Sequence, residues 1–269
     1  MIDRRTLRIG AATAALLVVA VRASAQDTTP RLVIPKKLFD ISFQQTPAGP
    51  PPTPVHTGIR ATLKAIPGDF LHIPSKWNAI WAGIGGGLAL AVHPKDDDIN
   101  VHLTGKPWVH RFFATGTYLG AYTLVGATLS IYAYGRIKDR PKVSHIGMDL
   151  IRALVVDEVL TQVIKRSVGR ERPDHSDHKS FPSGHASSTF AFATALERHL
   201  SWRYAVPAYI FSSYVASSRM HENRHFASDV IFGAAVGIIS GRTVTRHGRD
   251  FFTLNVVPLS RGAAVVLTK

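Results

Sequence analysis

Apolar residues along this chain gather into long, Ala-rich segments bounded by proline, glycine or clusters of charge. They lie near 77–93, 112–134, 146–165, 186–199, 203–217 and 229–242. Segments of this length, without strict alternation, read as helices rather than strands. Six helices of this size predict an all-α fold, a helical bundle over residues 76–245, and no internal repeat interrupts it.

A helix that crosses a bilayer needs about 20 apolar residues. Phe112 to Tyr134 provides 23 residues without a charge. The segment 146–165 instead carries Asp149, Arg152, Asp157 and Glu158, and the segments after His185 and Asp229 soon reach Glu197 and Arg242. Charges at the bilayer centre are costly. The pattern therefore predicts a soluble exported bundle with 112–134 as its buried central helix. A membrane-embedded protein is the alternative. Trp77, Trp81, Trp108 and Trp202 are expected as core or interface aromatics.

The ends differ from the middle. Residues 1–25 have the form of a signal peptide: Arg4, Arg5 and Arg8, an apolar run from Ile9 to Val21, then Ala23-Ser24-Ala25. Cleavage is expected before Gln26, which makes the protein periplasmic or otherwise exported; an uncleaved anchor is the alternative. Residues 26–75 read as an irregular arm, since the proline run 47–54 suits neither helix nor central strand. A short helix fits within 58–66. The tail 246–269 reads as a small β-hairpin around Ser260-Arg261-Gly262.

The net charge of +14 suits anionic partners such as phosphates or lipid headgroups. Nucleic acid is not expected, because no binding motif accompanies the charge. The absence of cysteine excludes disulfides and thiolate metal sites.

Three clusters between Lys165 and Asp229 carry the candidate chemistry. In the first, Lys165 precedes Arg172-Pro173 by seven residues. A lysine and an arginine on adjoining backbone paths can grip different oxygens of one anion. The second is Pro182-Ser183-Gly184-His185, ahead of an Ala-rich helix. Ser183 suits an N-cap, and a helix start offers N–H groups to an anion. In the third, Ser218-Arg219 is followed by His225 and Asp229. His225 and Asp229 stand four apart and would share a face if the helix begins at or before His225. A carboxylate there would fix the imidazole tautomer. Each cluster alone is also consistent with an ordinary solvated helix end.

Together these clusters resemble the signature of the type 2 phosphatidic acid phosphatase superfamily: Lys-x6-Arg-Pro, Pro-Ser-Gly-His and Ser-Arg-x5-His-x3-Asp, with every motif position matched and the resemblance covering roughly residues 76–245. That superfamily includes acid phosphatases, lipid phosphatases and vanadium haloperoxidases. The resemblance implies a metal-independent phosphatase with no cofactor, acting on phosphomonoesters or lipid phosphates and associating with the membrane surface. It implies His225 as the nucleophile that forms a phosphohistidine, Asp229 as its orienting partner and His185 as the general acid. It implies Lys165, Arg172, Ser183, Gly184 and Arg219 as ligands of the phosphoryl oxygens. A vanadium haloperoxidase and a non-catalytic phosphate- or lipid-binding protein are the alternatives. The loop Asp174–His178 reads as a polar cover over the site rather than a metal site, and no role is assigned to His221 or Arg224.

Overall fold

Helices carry the chain from Ile59 onward in the computed structural model, which describes residues 19–20, 50–104, 112–113, 115–116, 120–246, 253–259 and 262–268. They are α1 (Ile59–Leu71), α2 (Lys76–Val92), a 3-10 turn (His93–Lys95), α3 (Asp96–Leu103), α4 (Ala121–Ile137), α5 (Pro141–Val168), α6 (Gly184–His199), α7 (Trp202–His221) and α8 (Ala227–Val244). The all-α expectation holds. Helices α2, α5, α6, α7 and α8 fall on segments that the apolar pattern marked out.

Local chemistry sets the ends. Ser75 accepts the Asn78 N–H at 3.2 Å and starts α2. Proline occupies the first turn of α5, where its missing N–H costs nothing. Gly169 ends α5 in the left-handed region at φ 58°. Helix α3 opens on Asp96, Asp97 and Asp98, which complement the positive end of its dipole. Helix α1 falls on the part of the arm where a short helix fits, 58–66, and extends beyond it to Leu71. The end of that arm is tied to the bundle: Thr57 Oγ1 meets Ser144 Oγ at 2.7 Å, and the Tyr132 hydroxyl donates to the Thr57 carbonyl at 2.8 Å.

The central helix is α8, not 112–134. Among the described residues α8 alone is long and apolar enough to cross a membrane, and 67% of it is buried inside the bundle. It packs backbone to backbone on α6, where a Cβ on Gly237 would collide with the Ser187 carbonyl. A core of Leu150, Ala153, Val156, Ala195 and Val244 joins α5, α6 and α8. Helix α4 lies outside, with Val125, Leu129, Tyr134 and Ile137 exposed. A charge-free apolar run looks the same in sequence whether neighbouring helices cover it or not. Trp202, expected as a core or interface aromatic, is 53% exposed.

Three of the four charges of α5 that argued against a lipid-facing surface, Asp149, Arg152 and Asp157, face inward, whereas Glu158 is exposed. Arg152 is held by Asp69 through Nε at 2.8 Å and Nη2 at 2.5 Å, and by Asp149 through Nη1 at 2.6 Å. Asp157 is fully buried and accepts from Ser187 Oγ at 2.8 Å. Burial pushes its carboxyl up to about 8, so it is neutral at pH 7. The outer faces present Leu88, Val125, Leu129, Val159, Val163 and Ile210.

Residues 50–246 belong to one compact unit and the strands to another. In the latter, β1 (Val19–Ala20), β2 (Thr253–Leu259) and β3 (Gly262–Thr268) form one sheet. The expected C-terminal hairpin is β2 and β3, antiparallel, with Leu259 opposite Gly262 and Thr253 opposite Thr268. β1 pairs with β3 through Val19 and Val265. The remainder of the expected signal peptide, and residues 26–49 of the arm, lie outside the described residues.

Candidate active site

Four helix ends converge on one cavity of about 850 Å³. The last turn of α5 supplies Lys165, the start of α6 supplies Gly184 and His185, the end of α7 supplies Arg219, and the approach to α8 supplies His225. Arg172 reaches the same cavity from the loop between α5 and α6. The two remaining candidates stand behind its wall. Ser183 is completely buried and caps α6, accepting the Ala186 N–H at 3.5 Å. Asp229 is also completely buried.

His225 is not on the helix. Phe226, in extended conformation, is the N-cap, and α8 begins at Ala227. The Asp229 carboxylate turns back to accept the Phe226 N–H at 2.8 Å. His225 and Asp229 therefore do not share a helical face, and their closest polar atoms are 3.8 Å apart. The direct partner of His225 is the Ser180 carbonyl, 2.7 Å from Nδ1. A carbonyl can only accept, so the proton resides on Nδ1 and the Nε2 lone pair is left for chemistry. Asp229 acts one bond further back, taking the Ser180 hydroxyl at 2.5 Å.

Behind this relay stands a network that the sequence did not disclose. Arg170 donates to Asp229 Oδ1 at 2.7 Å and to Asp96 Oδ2 at 2.9 Å. Its guanidinium stacks 4.1 Å from the Phe226 ring centre. Asp96 also accepts the Ser228 N–H at 3.0 Å. Arg170 was visible only as one more cation in a basic run, and Asp96 as one of three aspartates 74 residues away.

The cations are positioned rather than solvated. Lys165 Nζ donates to the carbonyls of Lys179, at 2.8 Å, and Pro182. Arg172 Nε donates to Asp177 at 2.7 Å, and Arg219 pairs with Glu222. Burial, with Arg172 close by, brings Lys165 down to about 8. Burial and the charges of Arg219, His225, Lys165 and Arg172 push His185 down to about 4. His225 is also lowered, by burial and by Lys165, although Asp229 pulls it the other way. Burial would raise Asp229, but His225, Ser180 and Arg170 outweigh it and keep the carboxylate ionised. The cavity is thus strongly cationic, with the His185 imidazole neutral. The loop Asp174–His178 is clamped beside it by Arg224 to Asp174, at 3.0 Å, and by Arg172 to Asp177. His221 is buried against the Leu103 carbonyl at 2.7 Å and does not line the cavity.

The rest of the cavity is mostly apolar, with Thr128, Glu158, Gln162 and Ser188 as polar members of its lining. Leu124, Val125 and Leu129 of α4 face Ile151, Leu154 and Val155 of α5, and the groove between them runs into the cation cluster.

Residues 146–251 match the sequence profile of the PAP2 superfamily. The decaprenylphosphoryl-5-phosphoribose phosphatase of Mycobacterium tuberculosis is 32% identical over 134 residues, which are 46% of this chain and 71% of that protein. The chain belongs to the PAP2 superfamily. A lipid A 1-phosphatase of Porphyromonas gingivalis is 46% identical over 80 residues, 29% of this chain and 18% of that protein. A lipid A 1-phosphatase of Rhizobium etli is 36% identical over 110 residues, 35% of this chain and 47% of that protein. The chain thus spans less than half the length of these two relatives. Among solved structures, a transmembrane PAP2-type phosphatidylglycerolphosphate phosphatase from Bacillus subtilis superposes with a TM-score of 0.54. The superposition covers 62% of this chain and 93% of that one at 24% identity, and shows that the PAP2 fold is shared.

Proposed function

We propose that this PAP2 protein is a membrane-associated lipid phosphate phosphatase that works through a phosphohistidine. The observation that carries the reading is the continuity of the cavity. One end holds Lys165, Arg172 and Arg219 around His185 and His225, and the other is the largely apolar groove between α4 and α5. The first suits a phosphoryl group and the second an acyl or prenyl chain. The exposed Leu88, Val125, Leu129, Val159 and Val163 suit contact with lipid. The names of the relatives point the same way.

In the first step His225 Nε2 attacks phosphorus and the bond to the leaving oxygen breaks. That oxygen takes the proton of His185. In the second step water attacks phosphorus, returns a proton to His185 and breaks the N–P bond, which releases phosphate and regenerates His225. Lys165, Arg172 and Arg219 neutralise the three equatorial oxygens, and the N–H groups opening α6 add their dipoles. Ser183 holds that helix start in place.

The test compares phosphatidic acid in mixed micelles with glycerol 3-phosphate, which has the same leaving oxygen and no chains, both in EDTA. The expected result is a kcat/KM at least about 100-fold higher for the lipid, in line with burying several methylenes at about 0.8 kcal/mol each. An acid-labile phosphoenzyme is expected in wild type and not in His225→Ala. Equal turnover of the two substrates would remove the lipid assignment. Phosphate binding without turnover of either would leave a binding protein.

A further inference from the structure

A second cluster of chemically competent side chains lies at the far end of α5. His145, Asp149 and His199 are all buried, and their ligand atoms lie within 4.8 Å of one another. His145 Nε2 is 3.1 Å and His199 Nε2 is 2.9 Å from the same carboxylate oxygen, Asp149 Oδ2. Asp149 is about 24 Å from Lys165 along the helix, at about 1.5 Å per residue. The phosphatase chemistry does not use it.

We propose that His145, Asp149 and His199 form a structural site for a zinc-like divalent cation. Four lines of geometry converge on it. First, bonds of about 2.0–2.1 Å to a tetrahedral ion put neighbouring ligand atoms about 3.3 Å apart. The two imidazole-to-carboxylate distances are already within a few tenths of an ångström of that. Second, the donor set is two imidazoles and one carboxylate, which suits zinc and leaves a fourth position open. Third, Asp149 is aimed from behind. Its other oxygen, Oδ1, accepts Arg152 Nη1 at 2.6 Å, and Asp69 in turn holds Arg152, the outer shell that orients metal-binding carboxylates. Fourth, a cavity of about 280 Å³ opens on the cluster, lined by His145 and Asp149 with His56 of the proline-rich arm. It provides an entry path and room for a water or for His56 as fourth ligand.

Binding needs no large rearrangement. The cation replaces the hydrogens that the two Nε2 atoms direct at Asp149, and each imidazole carries its proton on Nδ1 instead. Two carboxylates, Asp69 and Asp149, already balance Arg152 and Arg246 there. The ion would join the start of α5 to the end of α6, a staple between helices rather than a participant in phosphoryl transfer.

The test uses the full chain without an affinity tag, stripped with chelator. Cobalt(II) replaces zinc as a visible probe. One equivalent should give the intense d–d absorption of a tetrahedral site, and one equivalent of zinc should abolish it. Zinc should also raise the unfolding temperature. His199→Gln should bind about 100-fold more weakly or worse, whereas His175→Ala/His178→Ala, in the exposed loop, should behave as wild type. No tetrahedral band in the wild type overturns the proposal whether or not the variants fold. So does a band that survives in folded His199→Gln or disappears in the loop variant.

Discussion

The Nδ1 of His225 stands 2.7 Å from the Ser180 carbonyl oxygen and hands its hydrogen to it. The side-chain carboxylate that the sequence pairs with this histidine is one bond further away. Removing the imidazole and disturbing its support should therefore differ in degree. His225→Ala should lower kcat by about 10⁴-fold or more. Asp229→Asn keeps the Ser180 carbonyl in place but weakens the charge behind it, and should lower kcat by about 10–100-fold with little change in KM. Ser180→Ala keeps the backbone acceptor and loses one buried hydrogen bond. It should retain most activity and lose about 1–3 kcal/mol of stability. Steady-state kinetics and denaturant titration of the three variants check this; a Ser180→Ala enzyme as dead as His225→Ala would contradict it.

The pH profile follows from the cationic cavity. In the free enzyme His185 is held down at about 4, so above that pH it has no proton to give. The proton must arrive with a singly protonated phosphoryl group, whose own pKa is about 6. Hence kcat/KM should fall about tenfold per pH unit above about 6. It should fall more steeply above 8, where Lys165 loses its charge. A bound phosphate dianion offsets Arg219 and Lys165 and restores the proton to His185, so kcat should stay level to a higher pH than kcat/KM. A kcat/KM that is flat to pH 9 would rule this out.

Asp157 should give the protein a stability that declines with rising pH. Its folded pKa, about 8, lies above the ordinary carboxylate value of 3.8. Between those values the folded chain holds a proton that the unfolded chain releases, so stability is full below about 3.8 and is lost as pH rises towards 8. Asp157→Asn keeps the shape and removes the titration. Its unfolding temperature, relative to wild type, should rise between pH 5 and pH 8, at about 2–4 °C per kcal/mol. Thermal melts of both proteins at the two pH values decide it.

Much of this was legible in the sequence, and what was not has a common cause. Lys165, Arg172, Gly184, His185, Arg219 and His225 meet at one cavity because side-chain chemistry in the three clusters is itself the signal. Ser180 acts through its backbone carbonyl, for which no side chain serves as a marker. Arg170 matters through Asp96, and only the tertiary fold brings them together. The same holds for His145 and His199, which share a carboxylate although they come from different helices. Helix content was readable because length and end signals are local. Which helix is central was not. Hydropathy measures what a segment tolerates around it, and α4 puts its apolar face towards a groove and the outside rather than a core.

The groove should be separable from the chemistry. Leu129→Asp and Leu154→Gln place polar groups along it, away from the cations. Each should lower kcat/KM for phosphatidic acid by about 10–100-fold, the scale of one lost leucine contact of about 1.5–3 kcal/mol. Glycerol 3-phosphate turnover should be unchanged. Parallel losses on both substrates would place these residues in folding or catalysis instead.

Helix α5 runs unbroken from Pro141 to Val168, with the buried His145–Asp149 pair near one end and Lys165 near the other. It therefore works as a ruler with a fixed phase as well as a fixed length. One residue inserted between Asp149 and Lys165 would advance the far end by about 1.5 Å and turn it by about 100°. The lysine would swing away from His185 while the other cluster stayed in place. Point substitutions along the exposed face of α5 should be absorbed readily, whereas a change in residue count between the two ends should not be, even where every side chain is kept.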